Sequence, residues 1–584
     1  MSKKRSRFLL WVILIIVTPL LIDKSVLANT AVKVKRAKTD VYMDGESAYF
    51  DVFNINGDSY CELSDMTLYF NDTSSRFNVV WNKSNKTINV TTGKNYVDDF
   101  ELNMHTYDKY YNAKVSTTKL YINGKLSNIK GYTIDGRNYY KLRDLSKAIP
   151  FDMEVSSDKK SIYLYSPTPK NAYKTTVAYD TVPNEHLFSY VSYNHSLEKY
   201  MVYNNDNTIS VIETNIFRIE DNIKVETYDL KFKLVSKGMI EYELPEFGAF
   251  YSGEKYNYIA FGQYNIQEND KKEVIRIVRY DKSFKRIDSV SVKGGESDTR
   301  IPFSGGCGRM SENGNYLVFH TSHVAYGNNN QPLTIIVDTS SMKVINNDNG
   351  YGGRSYDQYV QFDGKEHVLV DQGNSAVVLN KGYIDESDNS LTYYSRDLFD
   401  IPETMKVGVG SSSTWTGVNI GGFEVSSENY IVAMNSFDHS LAKDYAYKSF
   451  DQLVNDYTYS TMVGLMDQRD IIICSLPKND IFVSEVKQIT IAKYVGTNKL
   501  ASTPKLVKIS EDKFMVLWQE YDLKDRITGD VKYVFIDKAG RSIGKINTLK
   551  NFRLSDCNPL VIDNKVIWYT NEKGGRTFYT IPLK

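Results

Sequence analysis

One short phrase recurs seven times after residue 190: a polar turn, then an aromatic or β-branched run. The runs begin at Tyr200, Tyr258, Tyr316, His367, Tyr430, Phe514 and Val566. They follow turns such as Ser311-Glu312-Asn313-Gly314-Asn315 and Ser510-Glu511-Asp512-Lys513, at steps of 58, 58, 51, 63, 84 and 52 residues. Such runs bounded by Asn, Gly and Asp read as strands. The period is that of a four-stranded propeller blade or a little more. The expected fold of residues 169–584 is therefore mainly β, a seven-bladed β-propeller with six or eight blades as alternatives. Blade six is the clearest, with four strands at 506–509, 514–519, 531–536 and 542–546. The last blade offers only three, at 560–562, 566–569 and 578–581. An open edge invites aggregation, so residues 173–179 are expected to supply its outer strand and close the circle. Residues 441–457 have helical spacing and predict a helical insertion at about 440–467.

The chain opens on Lys3, Lys4, Arg5 and Arg7, an apolar stretch over residues 8–22, and the small-residue site Val26-Leu27-Ala28. That pattern predicts a secretory signal peptide over 1–28, cleaved after Ala28. Asp23 and Lys24 end the apolar run short of the roughly 20 residues a spanning helix needs, so no membrane span is expected after cleavage. The 71 basic and 71 acidic residues balance, and removing 1–28 leaves 66 against 70, a net charge of −4. With no basic block to track a phosphate backbone, nucleic acid is not an expected partner. None of the four cysteines, Cys61, Cys307, Cys474 and Cys557, forms a C-x-x-C pair. Zinc and thioredoxin-like readings therefore fail, and four free thiols are expected.

Residues 29–168 carry a different repeat, at a constant offset of 79. Val41-Tyr42-Met43-Asp44-Gly45 returns as Leu120-Tyr121-Ile122-Asn123-Gly124. Asn56-Gly57-Asp58 returns as Asp135-Gly136-Arg137, and Cys61-Glu62-Leu63-Ser64-Asp65 as Tyr140-Lys141-Leu142-Arg143-Asp144. Asn-Gly and Asp-Gly mark tight hairpins, and Leu142-Arg143-Asp144-Leu145 opens a short helix. The two copies, about 41–90 and 120–165, resemble the copper amine oxidase N-terminal-like stalk domain. That is an α+β module of exported Gram-positive proteins. The first copy departs from the pattern, with Ser64 in place of Arg and about five extra residues around 71–76. The resemblance does not bring copper amine oxidase chemistry. Every Asn-Tyr pair here is followed by an uncharged residue, against the acidic residue of the quinone motif, and His105 is the only histidine before His186. Residues 166–170, Ser-Pro-Thr-Pro-Lys, read as a linker. The C-terminal part also resembles exported Gram-positive proteins with propeller-like repeats, through Phe319-His320-Thr321-Ser322-His323, residues 417–423 and Ala501-Ser502-Thr503-Pro504. This likeness implies fold and location only.

Propellers bind where the chain enters each innermost strand and where the second strand hands over to the third. That rule groups Arg309, His320, His323, Trp415, Asn435, Asp438, His439 and Glu520 on one face, with Asp371-Gln372 and Asn571-Glu572. Arg309, set among glycines, suits a carboxylate or phosphate bidentately, or is a solvated loop residue. His320 and His323 tempt as a metal pair. At i, i+3 on a strand, however, they point to opposite faces, and one packed histidine with one loop hydrogen-bonder is the plainer reading. Asp438-His439 would be a base with its orienter only if adjacent residues aligned. Trp415 would stack on a sugar ring or pack a blade. Asp385-Glu386-Ser387-Asp388-Asn389 has calcium-friendly oxygens without the loop spacing of a calcium site, so structural calcium is unsupported and no cofactor is expected. There is no G-x-S-x-G, H-E-x-x-H or P-loop.

The expected function is an exported, monomeric cell-surface binding or scaffold protein. Its stalk presents a propeller whose top face takes a glycan, peptide or envelope component. The alternatives are a polysaccharide-active hydrolase or lyase, and a structural envelope spacer. No lipobox cysteine follows Ala28 and no sorting signal precedes Lys584, so wall retention is expected to be non-covalent.

Overall fold

Asn-Gly and Asp-Gly place the first hairpins. Asn56 and Gly57 have φ of 54° and 87°, and Asp135 and Gly136 47° and 84°, the positive values a two-residue I′ turn requires. They join Phe53–Ile55 to Asp58–Glu62 and Gly131–Ile134 to Arg137–Lys141. Each second strand runs into a short helix, Leu63–Phe70 or Leu142–Ala148. The computed structural model describes residues 31–44, 46–71, 73, 75–96, 104–182, 195–216, 222–348, 354–385, 387, 390–401, 416–440, 467–524, 528–572 and 575–583. The signal segment, the helical insertion from residue 441 to 466, and Trp415 lie outside the described residues. Two compact units divide the chain: one drawn from 1–40, 49–68 and 77–149, the other from 41–48, 69–76 and 150–584.

In the first unit the middle of a six-stranded sheet pairs Asp58–Glu62 with Arg137–Lys141. Tyr60 lies opposite Lys141, Cys61 opposite Tyr140 and Glu62 opposite Tyr139. Cys61 and Tyr140 are the same position of the 79-residue repeat, so the two copies meet about a local two-fold. They also exchange strands. Phe77–Asn82 and Thr87–Thr92 of the first copy share a sheet with Lys119–Ile122 and Lys125–Leu126 of the second. The complementary sheet, in which Asp40–Met43 and Glu46–Ala48 join Asp152–Val155 and Ser161–Tyr165, groups with the second unit. Phe53 holds the first unit's core, meeting Tyr111 and Tyr139 edge-on at 5.8 and 5.1 Å.

In the second unit seven antiparallel sheets of four or five strands follow one another among the described residues. Their innermost strands are Lys199–Tyr203, Glu246–Ser252, Arg309–Asn313, Gln358–Asp363, Val418–Val425, Lys505–Ser510 and Leu560–Ile562. From each, tight turns step the chain outward, as in the third sheet through Tyr316–Ala325, Asn330–Asp338 and Lys343–Asp348. From the second sheet to the seventh, and from the seventh to the first, consecutive innermost strands pack on one another. Tyr200 against Phe247 and Phe250 completes the circuit between the first and second. Apolar clusters fill every one of these sheet-to-sheet contacts. Hydrophobic faces covered on both sides leave each sheet no other stable partner. This is a mainly β structure of the propeller kind.

Six of the seven repeat runs fall on second strands, as their shared phrase implies. Tyr200 does not. It belongs to an innermost strand, and the second strand of its sheet is Thr208–Glu213. A polar loop precedes the innermost strands too, so the phrase fits either place. The third and sixth sheets each carry an extra short strand, Thr299–Pro302 and Lys499–Ala501, on the far end of the second strand. The four strands expected around 506–546 are present as Lys505–Ser510, Lys513–Asp522, Thr528–Asp537 and Ser542–Leu549.

The last sheet is completed from the other end of the chain. Ala172–Thr176 pairs antiparallel with Gly575–Pro582, Tyr173 opposite Phe578 and Thr175 opposite Arg576. Between this sheet and the first lies a buried charge network. Arg576, 2% exposed, places Nη2 2.9 Å from Glu213 Oε1 and Nη1 2.6 Å from Glu226 Oε2. Its Nε donates to Asn571 Oδ1 at 3.1 Å, and Tyr228 Oη donates to Glu226 at 2.6 Å. Ala178 N donates to the other Glu226 oxygen at 2.5 Å. Burial alone would raise the Glu213 carboxyl; Arg576, with Lys199 and Asn571, reverses this and holds it below its ordinary value. Nearby, Lys199 Nζ sits 2.9 Å from Asp556.

Glycines let the innermost strands approach. A Cβ on Gly422 would lie 2.5 Å from Leu506 Cβ, and one on Gly421 would run into the Pro504 carbonyl. Backbone cannot yield as a side-chain tip does. Gly421→Ala is therefore expected to destabilise by about 1–3 kcal/mol or more, read as a lower urea midpoint, whereas Gly238→Ala, whose Cβ meets nothing within 4 Å, leaves it unchanged.

Candidate functional site

The seven innermost strands wall a single cavity of about 720 Å³. Because both faces of each sheet are covered by its neighbours, the innermost strands present their inner edges to it, and consecutive residues such as Lys199 to Tyr203 line it. The wall carries the aromatic rings of Tyr200, Tyr203, Phe250 and Tyr359 and the charges of Lys282, Arg309, Glu424 and Lys508.

Arg309 begins its innermost strand after Gly305-Gly306-Cys307-Gly308. Its guanidinium lies over the Tyr359 ring of the next sheet, 4.8 Å from the centroid. Nη1 donates to Cys307 Sγ and, at 3.5 Å, to the Gly308 carbonyl, while Nε is buried without a hydrogen-bond partner. Tyr359 Oη donates to the Ile420 carbonyl at 3.3 Å, which fixes the ring. Lys282 Nζ donates to Ser252 Oγ at 2.8 Å and to the Gly253 carbonyl; burial lowers its pKa. Lys508 is engaged elsewhere, 2.9 Å from the Val425 carbonyl and 2.8 Å from Glu511.

Two carboxyls here have unusual acidities. Burial pushes Glu424 up to about 7, against the pull of Lys508. Burial pushes Asp357, 3% exposed, up to about 7 as well, against Arg309 and Lys505. A folded pKa above the unfolded one, about 4.3 for Glu, means the folded chain holds the proton more tightly. Stability is therefore full below the unfolded value and falls as pH rises through about 7. Glu424→Gln is expected to be more stable than the parent at pH 8 and equal to it near pH 4, measured as melting temperature across that range.

Of the described residues in that group, only Arg309 lines the cavity. His320 is 1% exposed, with Nδ1 3.0 Å from Thr334 Oγ1 and Nε2 3.0 Å from Asp371, which also accepts from Ser355 Oγ at 2.5 Å. That chain ties the third sheet to the fourth. His323 is fully buried, 2.8 Å from Thr299 Oγ1, and burial holds it near pKa 4 and so neutral. The two histidines do not converge, and no cluster of three metal-ligating side chains occurs among the described residues. Asn435 is buried in the fifth sheet with neither amide atom hydrogen-bonded. Asp438 accepts from the Ser440 amide at 2.9 Å, while His439 lies 3.0 Å from the Thr416 carbonyl and against Phe437. Glu520 accepts from Tyr494 Oη at 2.8 Å and pairs with Lys499 at 2.8 Å. Asp385 caps its own turn, accepting from the Ser387 amide and hydroxyl at 2.9 and 2.6 Å. All four cysteines are buried and free.

Tyr359, Lys282 and Glu424 were not singled out from the sequence. Tyr359 and Glu424 lie on innermost strands and Lys282 in the turn after Glu273–Tyr280, places that need the strand order to be read.

No family model matches the chain, and no curated protein matches it. Solved structures similar to it include Kuenenia stuttgartiensis hydrazine synthase, at 10% identity and TM-score 0.34 over 59% of this chain and 80% of that one. The β-propeller domain of Cps50 (Swd1) from Myceliophteria thermophila is similar at 9% and 0.36, over 69% and 100%. A subtype N10 neuraminidase-like protein of a bat influenza A virus is similar at 9% and 0.34, over 64% and 98%. At these scores the likenesses add nothing to what the sheets themselves display.

Proposed function

We propose that this chain is an exported cell-surface binding protein in which a stalk-type repeat pair carries a seven-bladed β-propeller, and that the central cavity takes a glycan. One observation carries the reading: seven separate strands wall one cavity that tyrosines line together with polar groups, of which Arg309 Nε and Tyr200 Oη have no hydrogen-bond partner. Cores close over apolar side chains, whereas a site for a polyhydroxylated ring needs flat aromatic surface next to donors and acceptors. The basic start and short apolar run of the sequence support export.

Glycan-array binding by the secreted chain tests it. Tyr203 is 38% exposed at the rim, so Tyr203→Ala leaves the fold intact and is expected to weaken binding about tenfold, roughly 1.4 kcal/mol. Retention of peptides with no glycan bound would sink the proposal.

A hydrolase or lyase is the second reading, and Glu424 favours it, since a carboxyl near 7 is poised as a general acid. Turnover of a bound oligosaccharide, lost in Glu424→Gln while affinity persists, would establish it.

A further inference from the structure

We infer that the ligand of the central cavity carries an oxyanion, a carboxylate or a phosphate, and that Arg309 and Lys282 are its counter-charges. This rests on the glycan reading and specifies it. Elsewhere the fold sets arginines against carboxylates. At the seam Arg576 faces two carboxylates within 3 Å, an asparagine and a tyrosine. In the second sheet Arg276 and Arg279 likewise sit against Glu243, Glu273 and Asp288. Arg309 is enclosed by its own sheet and by Tyr359, yet none of the described residues brings a carboxylate within ion-pair range of it. Its acceptors are a thiol and one distant carbonyl. Lys282, lining the same cavity, is held by a hydroxyl and a carbonyl, also without a carboxylate partner among the described residues.

An enclosed cation left unpaired costs several kcal/mol, and the sequence has acidic residues to spare. Asp357 acts on Arg309 and Glu312 on half-buried Lys282 without either forming an ion pair, so the two cations facing one cavity describe a site whose directly paired negative charge comes from outside. The geometry suits it. Tyr359 lies under the guanidinium, Nη1 is spent on Cys307 and Gly308 and Nε has no hydrogen-bond partner, which leaves the Nε edge for a bidentate contact with a planar or tetrahedral oxyanion. Glu424, also on the wall, withdraws its negative charge by protonation as pH falls, so affinity for an anion is expected to rise from pH 8 to pH 6.

The test is an array of neutral, uronate-bearing and phosphate-bearing oligosaccharides probed with the full secreted chain at low ionic strength. Acidic glycans are expected to bind at least tenfold tighter than neutral ones of the same length. Arg309→Gln and Lys282→Gln are each expected to remove most of that preference. Whether uronates or phosphates are favoured identifies the source of the oxyanion. Equal binding of neutral and acidic glycans would overturn the inference and leave the glycan reading standing. If no glycan binds, but inorganic phosphate raises the melting temperature of the parent and not of Arg309→Gln, the anion site stands and the glycan reading falls. If neither occurs, both fall. Should Arg309→Gln fail to fold, Lys282→Gln decides alone: an undiminished acidic preference in it overturns the proposal.

Discussion

Arg576→Ala is expected to destabilise the protein by about 3–5 kcal/mol, the cost of breaking a buried pair by removing one partner. The residue neutralises Glu213 and Glu226 at once, and all three are 2–3% exposed. Without it two carboxylates stay buried against each other, and each must either take up a proton or open the seam to water. Arg576→Met, which keeps much of the volume, is expected to fail equally, because what is lost is charge. Arg541, 71% exposed beside Asp537, is the control. Its alanine variant is expected to cost at most about 1 kcal/mol. Urea unfolding followed by tyrosine and tryptophan fluorescence compares them. Equal midpoints for the two alanine variants would mean that the seam is not held by this network. The pH dependence is a second handle. Because Glu213 is held below its ordinary value, the seam's contribution is present at neutral pH and is lost as pH falls through the folded pKa.

The second large effect is expected from Lys174-Thr175→Pro-Pro. In an antiparallel edge pair, successive amides point alternately into and away from the neighbouring strand. Whichever of the two faces Gly575–Pro582, one proline removes that bond. The strand also loses Lys174 from its place 3.5 Å above the Tyr165 ring. With Ala172–Thr176 detached, Gly575–Pro582 becomes a bare edge eight residues long, which templates pairing with other chains. The variant is expected to elute as soluble oligomers on size-exclusion chromatography with light scattering, while the parent stays monomeric. A monomeric variant with an unchanged urea midpoint would show that the last sheet does not depend on its borrowed strand.

How much of this could be read beforehand follows from which interactions are local. Turn chemistry is local, so Asn56-Gly57 and Asp135-Gly136 announced their hairpins, and the turns before Tyr316 and Phe514 announced second strands. The borrowed strand at Ala172–Thr176 was legible for a different reason, since a last sheet one strand short demands a partner. The recurring phrase did not separate Tyr200, on an innermost strand, from the six runs on second strands, because alternation identifies a strand without saying how far it lies from the ring's axis. The histidines show a related limit. His320 and His323 carry the residue type of a site, but their surroundings (Thr334, Asp371 and Thr299) come from strands remote in sequence, and those partners make them interior struts. Arg309 was picked out for its flanking glycines. The feature that sets it apart, the lack of a carboxylate within ion-pair range among the described residues, depends on strands remote in sequence and cannot be seen from any one of them.

The borrowed strand has a consequence for the order of events during synthesis. Asn571 bonds the carbonyl of Val182, 389 positions earlier, and Arg576 reaches back 350 positions to Glu226. Loop-closure entropy makes such distant pairings slow. A nascent chain can assemble its middle sheets as they emerge, but the last sheet stays unsealed until Gly575–Pro582 has appeared to pair with Ala172–Thr176. A prematurely terminated copy, even one short by a single strand, would present two raw edges to proteases, so the geometry of closure doubles as a check on completeness.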